Sequence, residues 1–371
     1  MIRQLAGQLV DIVSVNLFKH IGIPKVTPRV LNIISTYLCD SRCKTCNIWK
    51  IYREDKRKLN QELKTEELKR IIKEADNLGV RHVSITGGEP FLRQDIVEIL
   101  SIIGNNFKKS GIVTNGLASN RIYNKVKNIL NNIPSSHFFT VAVSLDGLEQ
   151  KHDFLRGIHG AFQKAIKTLK LLNKLQEDYP NLNVDVSFTL TNENYEDLKP
   201  TLSYLLDEKL IPHPSHFSFR YAQQTILTNS PGGAADRNKV IDSIKDLQRA
   251  YPYFKNKFVN GVIEYIKFPS KLICPCYALF SSIWIDPYGN VFPCVPLMQE
   301  GFIGNLRHSN FDLREIWFSE QANRLRKKIK RGICPNCWVE CQSVMNMRYS
   351  IYKLSNLWYW LSRYRHQKKF F

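Results

Sequence analysis

Cys39-Asp-Ser-Arg-Cys43-Lys-Thr-Cys46 is the stretch that most limits what this 371-residue chain can become. Three thiols fall in one short loop with the spacing C-x3-C-x2-C. Thiolates this close can take three corners of one iron–sulfur cluster but cannot complete it, because a 4Fe–4S cluster takes four cysteine ligands. One iron would be left open, and an open position is where substrate chemistry happens. Zinc is the other metal that a cysteine-rich loop serves. The loop follows Val30-Leu-Asn-Ile-Ile-Ser-Thr36, an apolar run that reads as a strand. The C-terminal end of a strand is where an α/β barrel places its active site.

Beyond the loop the chain alternates between strand and helix patterns. Residues 82–86, 111–114, 138–145, 183–190 and 216–220 read as further strands. Thr65 is placed to cap a helix, with Glu66 and Glu67 in its first turn and Leu68, Ile71, Ile72, Ala75 and Leu78 as its buried stripe. Helices follow over 95–103, 121–130, 161–176 and 197–209. Repeated β–α units predict a parallel sheet. The predicted fold is α/β, a partial (β/α)6 TIM-like barrel over residues 29–222, open on one side.

The strand ends carry the remaining polar motifs. Gly87-Gly88-Glu89-Pro90 follows the second strand; its glycines permit close backbone approach to a ligand, and Glu89 supplies an acceptor suited to an ammonium group. Thr114-Asn115-Gly116 ends the third strand and Ser144-Leu-Asp146-Gly147 the fourth. Asn-Gly and Asp-Gly also serve ordinary turns. Arg156, in His152-Asp-Phe-Leu-Arg-Gly157, is either a partner for a carboxylate or an exposed helical arginine.

The triad and the Gly-Gly-Glu-Pro turn, in this order, resemble the radical SAM superfamily. The resemblance implies that Cys39, Cys43 and Cys46 hold a catalytic 4Fe–4S cluster whose open iron binds S-adenosylmethionine. It implies cofactor contacts at Gly87, Gly88, Glu89, Pro90, Asn115, Ser144, Asp146 and Arg156. In that family, reductive cleavage of S-adenosylmethionine gives a 5′-deoxyadenosyl radical that takes a hydrogen from substrate. An electron donor such as flavodoxin or ferredoxin is implied with it. The substrate stays open among a peptide or protein, a sugar and a lipid-linked molecule, and no acid or base is identified.

A second cysteine field holds Cys274, Cys276, Cys294, Cys334, Cys337 and Cys341. Trp284-Ile-Asp-Pro-Tyr-Gly-Asn-Val-Phe-Pro-Cys294 reads as a hairpin, with a helical stretch over 313–330 behind it. Gly289 followed by four residues and Cys294, then Cys334-Pro-Asn-Cys337, resembles the SPASM and twitch extensions of radical SAM enzymes. This implies a smaller Cys-rich α+β domain over 271–345 with one auxiliary 4Fe–4S cluster on Cys276, Cys294, Cys334 and Cys337. Cys341 is an alternative to Cys334 or Cys337, and Cys274 a bystander. Val295 stands where some peptide-modifying relatives carry an acid, and no leader-binding domain precedes the first strand. Both features weigh against a peptide-maturase reading without removing it.

Composition bounds the rest. The nine cysteines fall in two groups far apart, which suits metal or cluster ligation in a reducing cytoplasm better than a disulfide framework. The formal charge of +20 is compatible with a lysine-rich solvated surface, an anionic substrate, a membrane surface or nucleic acid. No RNA-binding signature supports the last. Residues 1–28 read as an amphipathic helix with Ile2, Leu5, Leu9, Ile12, Val13 and Leu17 as its apolar set, packed on the main domain or lying on a membrane. Residues 223–270 form a bridge, and 346–371 an aromatic and basic tail suited to a wet–apolar boundary. The reading from another class is a non-enzymatic zinc or iron–sulfur protein that binds nucleic acid or a membrane surface.

Overall fold

The computed structural model describes residues 2–229 and 237–350. The loop Ser230–Gly233 and the tail beyond Ser350 lie outside the described residues, as do the side chains of Ile2 and Leu5. The chain opens with α1 (Ile2–His20), β1 (Val30–Ile34), the single turn α2 (Ile51–Glu54), α3 (Thr65–Asn77), β2 (His82–Thr86), α4 (Ile96–Asn106) and β3 (Lys109–Thr114). It continues with α5 (Ser119–Asn132), β4 (Phe138–Ser144), α6 (Glu149–Arg156), α7 (Ala161–Asp178), β5 (Leu182–Leu190), α8 (Leu198–Asp207) and β6 (Phe217–Tyr221). The last third holds α9 (Arg237–Ala250), α10 (Lys257–Lys267), β7 (Ser282–Ile285), β8 (Asn290–Phe292), β9 (Gly304–Asn305), α11 (Leu313–Phe318), α12 (Glu320–Lys330) and α13 (Glu340–Tyr349).

The strands form one sheet in the order β6-β5-β4-β3-β2-β1-β7-β8-β9. Strands β1 to β6 are parallel, as the β–α alternation predicts. The hairpin expected near residue 290 forms as β7 and β8. It is not confined to a separate module: β7 pairs in parallel with β1 and continues the barrel sheet.

Alternation along the strands explains the two faces. Ile33, Ile85, Ile112, Val141 and Val184 lie in one register row and are almost fully buried under the helices. Each contributes roughly 1.5–3 kcal/mol of burial. The neighbouring row on the other face is Asn32, Ser84, Gly111, Thr140 and Asn183, small and mostly polar. A parallel sheet buried on both faces would be apolar on both. This one encloses a polar lumen.

Several boundaries differ from the sequence reading. Thr65 is the first helical residue of α3 and not its cap; its hydroxyl donates to Asp95 Oδ2 at 2.7 Å. The predicted helix over 313–330 breaks at Ser319, whose hydroxyl accepts from the Ala322 N–H and starts α12. Helix α10 occupies the expected connector, and α13 runs across the boundary expected at residue 345. In α1 the buried face is Asp11, Ile12, Val15, Phe18 and Lys19, whereas Leu9, Val13 and Leu17 of the expected stripe are exposed. Asp11 fixes that rotation, because its carboxylate accepts from Arg29 at 2.6 Å and from the Tyr349 hydroxyl at 3.0 Å.

The segment after β1 is laid against the turn after β2. The Gly88 N–H donates to Thr36 O at 2.7 Å and the Glu89 N–H to Leu38 O at 2.7 Å. A Cβ on Gly88 would stand 2.2 Å from Leu38 O. The glycine is therefore needed for chain-on-chain approach just ahead of Cys39. Replacing Gly88 by Ala should cost about 1–3 kcal/mol or more through forced backbone movement, read as a lower urea midpoint. Gly7→Ala on α1 meets nothing within 4 Å and should be neutral or stabilising by the same measurement.

Candidate active site

The triad loop is held from three sides. Asn115 Nδ2 donates to Asp40 Oδ1 at 2.7 Å and to Ser41 Oγ at 3.2 Å. The Arg42 and Lys44 N–H groups donate to the Arg156 and Leu155 carbonyls at the end of α6, at 3.0 and 2.9 Å. On the third side, the Asn47 N–H donates to Leu227 O, and Cys46 forms a bridge with Thr228. Gly157 ends α6 at φ 64°, and a Cβ there would meet Arg42 O at 2.6 Å.

Cys43 is buried, and Cys39 and Cys46 are half-buried. Burial, joined by the neighbouring Cys43 sulfur, raises the Cys39 thiol and pushes Cys46 up to about 11. Thiols that resist ionisation alone become good ligands when a metal centre takes their protons.

Arg156 is buried, not the exposed helical arginine that its sequence setting also allowed. Its Nη2 lies 2.7 Å from Asp146 Oδ2, and its Nη1 donates to Cys43 Sγ at 3.7 Å. Asp146 Oδ1 accepts from the Thr189 N–H, so both carboxylate oxygens are engaged. Arg156 Nε is buried with no partner among the described residues. That leaves one buried donor without an acceptor on a residue that touches Cys43, which suits an acceptor on a bound group.

Glu89 is 1% exposed and accepts from the Phe91 N–H, the Thr114 hydroxyl and the Asn115 N–H. These bonds tie the end of β2 to the end of β3. Pro90 is buried at the start of the turn that follows. Ser144, Ser187 and Ser218 stand side by side in register on the lumen face.

In the last third of the chain, the thiols within electrostatic reach of Cys294 are those of Cys337, Cys276 and Cys341, while Cys334 is within reach of Cys276 and Cys337. Cys274 adjoins Cys276 but turns toward Asn346 and Ser350. Cys341 is exposed as a residue, and desolvation of its sulfur pushes the thiol up to about 11. Among the described residues no three His, Cys, Asp or Glu side chains converge on a single-ion position. A cubane spreads its thiolates over separate corners and does not require such convergence.

Three contributors were not visible in the sequence. Glu62 accepts from the Thr36 hydroxyl at 2.8 Å, from the Tyr37 N–H at 2.7 Å and from the Tyr52 hydroxyl, pinning the segment that leads to Cys39. Arg220, at the end of β6, lies within electrostatic reach of both Cys46 and Cys341. Lys19 is buried and donates to Cys276 O at 2.9 Å. Each is a lone charged residue without local motif, and only the fold brings it to a cysteine loop.

Arg156→Gln would leave Asp146 buried without its counter-charge and should cost about 3–5 kcal/mol, measured by urea unfolding of the metal-free protein. Glu89 gives a pH test. Burial raises its carboxyl from 4.5 to about 7. The native state holds this proton after the unfolded chain has released it. The contribution of Glu89 to stability therefore falls as pH climbs through that window and is level above it. Unfolding free energies measured across the window should show this slope in the wild type and lose it in Glu89→Gln.

Comparison with known proteins agrees with this geometry. The model of the radical SAM superfamily matches residues 33–205, and that of SPASM, an iron–sulfur cluster-binding domain, matches 274–341. The antilisterial bacteriocin subtilosin biosynthesis protein AlbA of Bacillus subtilis is 26% identical over 319 residues, 81% of this chain and 63% of that protein. The chain thus spans less than two thirds of that relative. The AdoMet-dependent heme synthase of Methanosarcina barkeri is 26% identical over 300 residues, 74% of this chain and 80% of that protein. Streptococcus suis SuiB bound to S-adenosylmethionine has the same fold, with a TM-score of 0.55 at 20% identity over 87% of this chain and 70% of that one. A second SuiB structure holds the precursor peptide SuiA. No helix among the described residues is long and apolar enough to cross a membrane. Residues 33–205 thus form a domain of the radical SAM superfamily, whose members work with S-adenosylmethionine and a 4Fe–4S cluster, and residues 274–341 form a C-terminal SPASM domain for auxiliary iron–sulfur.

Proposed function

We propose that the chain abstracts a hydrogen atom from a peptide and that Cys39, Cys43 and Cys46 hold its catalytic cluster. Cluster and S-adenosylmethionine, when bound, supply the 5′-deoxyadenosyl radical. The observation that carries the ligand assignment is the triad loop pinned between Asn115, the end of α6 and Thr228, with the buried Arg156 against Cys43. In this reading Arg156 Nε meets an acceptor of the bound cofactor, and Asn115, Asp146 and Glu89 act by fixing the loop and its neighbours. Gly87, Gly88 and Pro90 shape the turn beside it, and Ser144 offers its hydroxyl from the lumen. The polar lumen orients the substrate.

Cys276, Cys294, Cys334 and Cys337 would hold one auxiliary 4Fe–4S cluster, with Cys341 as the alternative to Cys334 or Cys337. A peptide substrate is supported by the likeness to AlbA, a bacteriocin biosynthesis protein, and to SuiB, which binds a precursor peptide. An iron porphyrin is the second reading, favoured by the 80% length match to the heme synthase. An acidic electron carrier is the expected reductant for either.

Anaerobic reconstitution with iron and sulfide tests these assignments. Two complete clusters correspond to about eight irons per chain. Cys39→Ala should abolish 5′-deoxyadenosine formation from S-adenosylmethionine and dithionite. Cys294→Ala should remove about half of the iron while leaving the catalytic cluster. Peptide pools and an iron porphyrin, added separately, should differ in which raises 5′-deoxyadenosine above the substrate-free rate. A rise with the porphyrin alone would replace the peptide reading.

A further inference from the structure

Helix α1 is apolar on two sides. Ile12, Val15 and Phe18 are buried against the protein. Leu9, Val10, Val13 and Leu17 form a second stripe, 38 to 65% exposed, and Ile21 and Ile23 prolong it at 66% and 67%. A helix apolar on both faces is ordinarily covered on both. Continuous exposed apolar surface of this kind marks an interaction site.

The charges beside the stripe indicate what covers it. Lys330, at the end of α12, donates to His20 O at 2.9 Å and so abuts the end of α1. Lys327, Lys328, Lys330 and Arg331 are exposed in that last turn. None of the four forms an ion pair with an acid among the described residues; the helix's one intrahelical pair, Glu320–Arg324, lies at its other end. The helix α1 itself supplies few cations, so its sequence alone looks ill suited to lipid. The fold brings the missing cations from a helix three hundred residues away.

We propose that the outer face of α1, with the basic end of α12, docks on an anionic lipid surface. Charge complementarity selects this occupant. A second copy, apposed through the same patch by a two-fold axis, would set the α12 cations against their own images. The chain's own residues 351–371 contain five Lys and Arg and no Asp or Glu, and would add positive charge to a positive rim. An anionic membrane satisfies both the apolar stripe and the unpaired cations. The net charge of +20 adds attraction at longer range.

Flotation of the reconstituted full-length enzyme with vesicles tests this. The protein should float with vesicles of phosphatidylcholine and phosphatidylglycerol, far less with phosphatidylcholine alone, and less as salt rises. Val10→Glu with Val13→Glu should lower partition about tenfold or more by removing the inserted apolar surface. Lys327→Gln with Lys328→Gln should lower it selectively on the anionic vesicles. Both variants should keep wild-type far-UV circular dichroism and substrate-free 5′-deoxyadenosine formation. Absence of flotation with anionic vesicles overturns the proposal. So does flotation unchanged by Val10→Glu with Val13→Glu, or a fall in molar mass from dimer to monomer in that variant. Capture of the same face by an acidic electron carrier, abolished by both variants without vesicle binding, also overturns it.

Discussion

The ion pair of Arg156 with Asp146 is the interaction on which the arrangement of the first cysteine loop depends. Both groups are almost fully buried, and each satisfies needs that neither could leave unmet. Asp146 is anchored to β5 through Thr189, and its own N–H is received by His152 Nδ1. Arg156 carries that anchoring to the Cys43 sulfur, while the carbonyl of the same residue receives the Arg42 N–H. One residue thus fixes the loop by its backbone and sets the field at a thiol by its side chain. A buried pair of this kind adds little net stability, because desolvation offsets most of its attraction. Its value lies in position.

Much of the barrel was legible because period-2 and period-3.6 patterns are local. The strand over 82–86 and the turn behind it could be read residue by residue. Helix α3 was readable from Leu68, Ile71, Ile72 and Ala75. Its cap was misplaced because Thr65 bonds to Asp95, thirty residues away, and no local rule sees that partner. The facing of α1 failed for a similar reason. With apolar residues on two sides, the pattern could not say which side was inward, and Asp11, a residue that usually argues for exposure, was the anchor. The two cysteine groups stood out from spacing, but Glu62, Lys19 and Arg220 did not. A single charge has no period, and its significance appears only when strands and helices converge.

The glycine turn also changes meaning once seen in three dimensions. Its sequence suggests room for a ligand. In the structure the space over Gly87 and Gly88 is filled by the backbone of Thr36 and Leu38. The turn works at one remove, by letting the strand that delivers Cys39 come close enough to bond with it. Glu89 likewise spends its oxygens on protein donors. Conformational requirement and chemical requirement fall on the same four residues, so sequence alone cannot separate them.

The pairing of β7 with β1 bears on how the two cysteine regions relate mechanically. Because the sheet runs unbroken from the barrel into the hairpin that carries Cys294, the second region is no appendage on a hinge. The spacing between the two thiol groups is set by hydrogen-bond register rather than by a linker. The same continuity makes the module hard to remove. A chain shortened ahead of β7 would uncover the flank of β1, a central strand with apolar neighbours and an open row of amide and carbonyl groups, which is the template from which intermolecular sheet growth begins.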